Sequence, residues 1–416
     1  MAGGPGLTLK PLEEAQSEVL ARVVSVGSET ISLADSLGRV LTAEVIANED
    51  VPPFANSAMD GFAVRGEDVA KPGATLDVME DLPAGRVAVG ELGPGQSMRI
   101  MTGAPMPAGA DTVVRVEDTT FAGGKVTIAG TVATGTSVRT AGGDVRRGDL
   151  VFAAGTRVGP MHVGVLATLG VATPEVFRRP RVAFMSTGDE LSPVDARPLG
   201  PGMIRDSNRP MLAALLTEAF VESTDIGSVP DDEESLRAAL DQAADHDVVL
   251  TTGGVSMGEY DVTKLLLQGE GEVEFWKVAI QPAKPFAFGK IDDAMFFGLP
   301  GNPVSAFVSF EQFVRPALMK MSGSRYLFRR RVVAVAGEPF DTDPEKTVFL
   351  RVSVDGDVGG VPRVVLAGGQ SSNVLSAAAL ADGLAVVPRG TETVAEGGHV
   401  MLELSRAPES REETDV

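Results

Sequence analysis

The chain of 416 residues has no cysteine and only three histidines. It therefore forms no disulfide and offers no thiolate to a metal. His162, His246 and His399 are too scattered to suggest a zinc centre. No apolar run approaches the ~18 consecutive residues of a membrane span, and the opening MAGGPGLTLK lacks the apolar stretch of a secretory signal. A soluble cytoplasmic protein with no membrane partner is expected. Basic residues are also short: 36 Lys and Arg face 57 Asp and Glu, a net charge of −21. That balance argues against nucleic acid as the main partner, because neutralising phosphates takes a basic face. It also makes any anion site depend on local lysines, arginines, backbone amides or a divalent cation. If a metal binds, abundant carboxylates and scarce histidine favour a hard ion such as Mg²⁺.

What is present is a trio of small-residue loops, each following a short apolar run. RVAFMS leads into Thr187-Gly188-Asp189-Glu190-Leu191, DVVL into Thr251-Thr252-Gly253-Gly254-Val255-Ser256, and AMFFGL into Pro300-Gly301-Asn302-Pro303-Val304-Ser305. An apolar run, then glycine and hydroxyl residues, then a helical pattern reads as the carboxyl end of a parallel strand turning into a helix. Open α/β sheets bind ligands beyond such strand ends. Backbone N–H groups at helix N-termini suit phosphate or another oxyanion there. Each loop alone is also explained as a tight turn or a helix cap. Three at one end of one sheet point to a single anion-binding crevice.

The length allows roughly two to four domains of ~100–200 residues. Residues 11–26 have an amphipathic helical pattern. Residues 63–139 are rich in Gly, Pro, Val and Thr and read as a small all-β module, followed by the turn-rich GGDVRRGDL and a helical stretch near 162–169. Strands and helices alternate from 181 to about 322. Beyond 329 strands and turns return, and residues 407–416 read as an acidic, disordered tail. Near the third strand, Lys277 and Lys284 could hold phosphate as point charges. Glu190, Asp231 and Asp261 flank the loops and could hold a divalent cation, though such carboxylates are more often caps or surface charges. Asp206 reads as a surface or cap residue. MDGFA (59–63) and MTGAPMP (101–107) read on chemistry alone as turns of a β module.

In order, PPFANSAMDGFAV, MTGAPMP, GGDVRRGD, STGDEL, TTGGVSMGEYD, FWKVAIQPAKP and LPGNPVSA resemble the molybdopterin molybdenumtransferases of MoeA type, relatives of the E domain of gephyrin. The resemblance spans about residues 7–404. It implies an α/β plus β, multidomain, elongated subunit. The parts are a discontinuous N-terminal domain (7–48 and 142–179), an inserted β module (49–141), a doubly wound α/β molybdopterin-binding domain (180–324) and a C-terminal β-barrel-like domain (325–406). It further implies a homodimer that takes adenylyl-molybdopterin and molybdate, uses Mg²⁺, releases AMP and places molybdenum on the pterin dithiolene. A transient contact with a molybdopterin adenylyltransferase is a further implied partner. Alternative readings are a dimeric scaffold or molybdopterin-binding protein without insertion activity, or an adenylyltransferase acting on molybdopterin.

Residue by residue, the resemblance makes Asp60 and Thr102 positions needed for activity, Asp60 acting across the dimer, and Arg139 and Asp144 a functional pair. Ser186, Thr187, Gly188, Asp189 and Glu190 form one ligand loop. Thr252, Gly253, Gly254, Val255 and Ser256 form another, and Pro300, Gly301, Asn302, Pro303 and Ser305 the rigid third. Asp231 matches an acidic position near the adenylate, and Asp261 the aspartate closing GGVSxGxxD. With Glu190 these two are the implied Mg²⁺ ligands. Lys277 and Lys284 match phosphate or molybdate contacts. Arg351 and Ser372 fall where the C-terminal domain approaches the crevice. One departure stands out: the family pattern KPGKP is here Gln281-Pro282-Ala283-Lys284-Pro285. It removes a cation, and it strains the turn if position 283 needs positive φ.

Overall fold

In the computed structural model, which describes residues 9–254 and 271–405, all three loops follow strands of one sheet. Its strands are β1 (Arg181–Thr187), β2 (Glu222–Val229), β3 (Val248–Thr252), β4 (Gly271–Lys277), β5 (Pro285–Ile291) and β6 (Ala294–Leu299), in the order β2-β1-β3-β6-β5-β4. β2, β1, β3 and β6 are parallel. β5 and β4 are added antiparallel at one edge, so strict alternation of strand and helix does not extend over 271–299. The connection from β5 to β6 is only Asp292-Asp293, which admits a hairpin and nothing else, since a parallel crossover needs a dozen or more residues.

Alternate residues of a strand face opposite sides of the sheet, and β1 shows what each side meets. Val182 and Phe184 share a core with Leu212 and Leu216 of α1 (Asn208–Glu218). Ala183 and Met185 share another with Leu236 and Leu240 of α2 (Glu233–Ala243). With helices on both faces, the parallel part is doubly wound. The chain steps from β1 outward to β2 and then returns past β1 to β3. The order therefore reverses between β1 and β3, the place where such sheets open a crevice. After β6 comes α3 (Pro303–Ser309), with Pro303 in its first turn, where the missing N–H costs nothing. The amphipathic pattern at 11–26 becomes the helix Leu12–Arg22, whose Leu12, Ala15 and Val19 join the first core.

Beyond the α/β part, β7 (Arg331–Ala336), β8 (Thr347–Val358), β9 (Val361–Leu366), β10 (Gly383–Val387) and β11 (His399–Leu404) follow one another as β8-β9-β7-β11-β10, and β10 pairs back onto β8. This is a closed five-stranded barrel. Val348, Leu350 and Ala385 fill it, whereas their neighbours Phe349, Leu384 and Val386 turn outward into the α/β core. The same period of two thus fills the barrel and anchors it.

Thr30–Leu37 and Leu41–Glu175 make a second compact unit, separate from the one just described. Its main sheet has six strands in the order Thr112–Arg115, Gly61–Val64, Gln96–Ile100, Thr75–Leu82, Lys125–Ile128, Thr119–Ala122. Phe62 and Val64 bury on one face with Val114, and Ala63 on the other with Met98 and Val113. Among the described residues no helix is long and apolar enough to cross a membrane. The acidic tail at 407–416 lies outside the described residues.

Candidate active site

The carboxyl ends of β1, β3 and β6 converge. Gly253 takes φ +95°, and a Cβ there would collide with the carbonyl oxygen of Thr187, so only glycine lets these loops touch. Asn208 at the start of α1 ties the other pair of loops. Its Nδ2 donates to Thr252 Oγ1 and to the Gly301 carbonyl, both at 2.7 Å. A carbonyl only accepts, which fixes the amide orientation and leaves Asn208 Oδ1, like Thr187 Oγ1, buried without a partner among the described residues. Ser186 Oγ donates to Asp206 Oδ2 at 2.5 Å, and Asp206 also accepts from Arg209 Nε and the Arg209 N–H. Asp206 is only 2 % exposed. It does cap α1, but it is a buried charge compensated by Arg209, not a surface residue.

These loops enclose a cleft of about 460 Å³ lined by Thr187, Gly188, Glu190, Asp231, Gly253 and Pro300, among others. Asp189 Oδ1 accepts the Asp231 N–H at 3.1 Å, which draws the β1 and β2 loops together. Glu190 and Asp231 supply oxygen ligands only, the donor type that Mg²⁺ takes. Among the described residues no group of three or more potential metal-ligating side chains forms. Val255, Ser256 and Asp261 lie outside the described residues.

A second cleft of about 780 Å³ adjoins the first, and both are lined by Pro285 and Asn302. Lys284, Ser305 and Ser372 line it. Ser305 is 5 % exposed. The Val304 N–H at the start of α3 is taken by the Ser372 carbonyl at 3.1 Å, which locks a barrel loop onto the LPGNPVS turn. Ala283 has φ +83°, so the turn does require the conformation that a family glycine would adopt freely. Lys277 and Arg351 line neither cleft. Lys277 ends β4 opposite Pro285. Arg351 is buried, its Nη2 donating to the carbonyls of Gly369 and Ser371. Its Nε has no partner among the described residues, and burial pushes its pKa down.

In the other unit, two distant motifs meet. Asp60 Oδ1 accepts from the Thr102 N–H at 2.7 Å and from Thr102 Oγ1 at 2.9 Å. These bonds, the backbone one foremost, hold the Asp60 carboxyl below its usual range. Arg139 pairs in register with Asn56, and the Asp144 N–H bonds the Val51 carbonyl. No hydrogen bond or ion pair joins the Arg139 and Asp144 side chains.

Three family models cover most of the chain: the MoeA N-terminal region, domains I and II (residues 10–170), a probable molybdopterin binding domain (183–320) and the MoeA C-terminal region, domain IV (333–404). The chain is 38% identical to molybdopterin molybdenumtransferase 2 of Mycobacterium tuberculosis over 407 residues, 95% of this chain and 99% of that one. The chain belongs to the molybdopterin molybdenumtransferase family. Another member, from Haemophilus influenzae, is 40% identical over 317 residues, 76% of this chain and 78% of its own. The fold is similar to the crystal structure of the molybdopterin biosynthesis moeA protein of Pyrococcus horikoshii OT3. That match has a TM-score of 0.82 and 29% identity, covering 95% of this chain and 100% of that one.

For this member of the family, sequence reasoning missed Asn208 and undervalued Asp206. The string Asp206-Ser207-Asn208 before an apolar helix looks like ordinary capping chemistry. Its burial arises only because the 188–206 segment folds back, through the Ile204 N–H to the Glu190 carbonyl and the Asp206 N–H to the Ser192 carbonyl.

Proposed function

We propose that the protein inserts molybdenum from molybdate into adenylylated molybdopterin, with release of AMP, and so completes the molybdenum cofactor. The observation that carries this reading is the pair of clefts that adjoin at Pro285 and Asn302. One has the glycine and hydroxyl loops suited to a phosphoanhydride, and the other has lysine and serine groups suited to a tetrahedral oxyanion. Both reactants of an insertion reaction then lie side by side, and relatives bearing the transferase name match along nearly the whole chain.

In this reading Thr187, Gly188, Thr252 and Gly253 bind the pyrophosphate through hydroxyl and backbone donors, and Ser186 and Asn208 hold those loops in place. Lys284, Ser305 and Ser372 orient molybdate, while Lys277 and Arg351 add positive field from outside the two clefts. Glu190 and Asp231, with Asp261, hold Mg²⁺. When bound, that ion neutralises phosphoryl oxygens and so eases P–O cleavage. Asp60, its carboxylate held by Thr102, serves the crevice of a second copy in a homodimer, and Arg139 and Asp144 act with it. The reaction runs in the cytoplasm and follows an adenylyltransferase that supplies the substrate.

The test is turnover of adenylyl-molybdopterin with Mg²⁺ and molybdate, following AMP and pterin-bound molybdenum. Molybdate-dependent AMP release with molybdenum retained is expected. AMP release indifferent to molybdate, or ATP-dependent adenylylation of molybdopterin, would overturn the reading.

A further inference from the structure

After α3 the chain runs through a widened helical turn, Phe310–Val314, into the helix Arg315–Met321. Pro316 accounts for the widening. It has no N–H to offer the carbonyl four residues back, that of Gln312, and its ring crowds that carbonyl. The Gln312 carbonyl accepts instead from Gln16 Nε2 at 3.1 Å, and the same Nε2 lies 3.2 Å from Gln312 Oε1. Gln312 Nε2 then donates to Oε1 of Glu403, on β11, at 2.8 Å. The other carboxylate oxygen accepts from Arg331 Nε at 3.0 Å. A line of amides thus runs from the helix Leu12–Arg22, through the widened turn, to a carboxylate of the barrel. Both Gln312 and Glu403 are buried.

Glu311, equally buried, accepts from Arg329 Nε and Nη2, both at 2.9 Å, and Arg315 Nε stands 4.0 Å away. Arg329 also donates to Glu218 of α1 and to the Ser405 carbonyl. The seam between the barrel and the α/β body therefore gathers Glu218, Glu311 and Glu403 with Arg315, Arg329 and Arg331. The charges are shared unevenly. Arg329 and Arg315 serve Glu311, whereas Glu403 bonds only to Arg331, an exposed cation whose pull water weakens. Burial pushes the Glu403 pKa up, with the charge of Glu311 adding, and Arg331 and Gln312 do not cancel the rise.

We infer that this seam is a proton-operated latch with Glu403 as its titrating group: a proton taken up there holds the barrel more firmly on the α/β body, and its loss loosens it. The sign follows from linkage. With the seam open, Glu403 meets water and has the ordinary glutamate pKa; with it closed, the raised pKa means that the proton is held more tightly. The stabilisation is therefore complete below the ordinary value and is lost as pH rises through the raised one. A neutral carboxyl still accepts from Gln312, so protonation leaves the line of amides intact. The second cleft has walls from both bodies, Ser305 of α3 and Ser372 of the barrel loop, and its width follows the latch. The inference stands whatever ligand that cleft takes.

Two backbone bonds cross the seam and report on it: the Thr347 N–H to the Ala279 carbonyl at 2.9 Å, and the Val304 N–H to the Ser372 carbonyl at 3.1 Å. The experiment is hydrogen–deuterium exchange of the full chain from about pH 5 to about pH 8, a window above the ordinary glutamate value. Rates are corrected for the intrinsic effect of pH, and the native protein is compared with Glu403→Gln and Arg331→Gln. In the native protein, exchange at Thr347 and Val304 is expected to rise several-fold with pH, while the amides of β1 and β3 stay constant. Glu403→Gln cannot ionise and should keep the slow, low-pH rate throughout. Arg331→Gln, a change at an exposed side chain, serves as well if Glu403→Gln does not fold. It removes the cation that favours the carboxylate, so the rise should move to higher pH. Exchange across the seam that ignores pH in the native protein overturns the inference, as does a rise that persists in Glu403→Gln or stays in place in Arg331→Gln. A rise shared equally by β1 and β3 also overturns it, because the whole fold would then be loosening.

Discussion

Asp60 is set by a partner remote in sequence, Ala283 by the turn it occupies. Asp60 has a folded pKa below its ordinary value because Thr102 donates to it, backbone first and hydroxyl second. The sign follows: this contact stabilises the fold above the ordinary aspartate pKa, and the gain is lost as pH falls through the lowered folded value. Thr102→Val removes only the hydroxyl, so the acid limb of the turnover profile should move to higher pH while activity persists. Asp60→Asn should cost about 100-fold in turnover; an acid limb unmoved in Thr102→Val would separate Asp60 from the chemistry. At Ala283, φ +83° costs about 1–2 kcal/mol in an L-residue. Glycine would remove that strain, but it adds about 0.5–1 kcal/mol of backbone entropy and forfeits about 0.8 kcal/mol of buried methyl. Ala283→Gly should thus melt within a degree or so of the native protein, whereas Ala283→Val, β-branched at positive φ, should lose about 3 kcal/mol. Melting curves of the two variants decide it. The strain at 283 was legible from the motif departure. The Asp60–Thr102 contact was not, because nothing local joins two turns some forty residues apart.

At the scale of elements, β1, β3 and β6 were legible because each is a buried apolar run punctuated by glycine and hydroxyl residues. β4 and β5 were obscure because antiparallel edge strands carry no intervening helical pattern. Loop closure by backbone atoms, such as the Ser372 carbonyl on the Val304 N–H, has no side-chain signature at all. The register of the parallel strands is pinned at the end opposite the crevice. Asp247, just before β3, accepts two bonds from Arg178 at 2.8 Å and one from the Arg181 N–H at 2.7 Å. Its carbonyl accepts the Met295 N–H. Burial raises the Asp247 pKa, but the Arg178 hydrogen bonds and the Arg181 N–H outweigh it and leave the value lowered. Its contribution is therefore present above the ordinary aspartate pKa and disappears as pH falls through the folded one. Asp247→Ala should cost about 2–3 kcal/mol. Its penalty should shrink in acid, where the native carboxylate is protonated too. Urea titrations at neutral and acid pH would show it, and a penalty constant with pH would refute the ionic account.

The whole molecule sets two opposing fields on its substrates. A net charge of −21 repels the anions that the proposed reaction consumes, while Lys284 and Lys346, which both line the second cleft, attract them there. Range decides which field governs approach. At ~10 mM salt the Debye length is about 30 Å, so an incoming anion meets the charge of much of the surface. At ~150 mM it is about 8 Å, and only groups near the cleft are felt. Added salt should therefore remove the long-range repulsion before it weakens the short-range attraction. The association rate of molybdate should rise several-fold between these two conditions, the reverse of what a basic, electrostatically steered binding protein shows. Stopped-flow association at a series of NaCl concentrations measures it. A rate that falls steadily with salt would mean that the lysines at the cleft dominate even at long range. The acidic surface would then have no part in controlling entry.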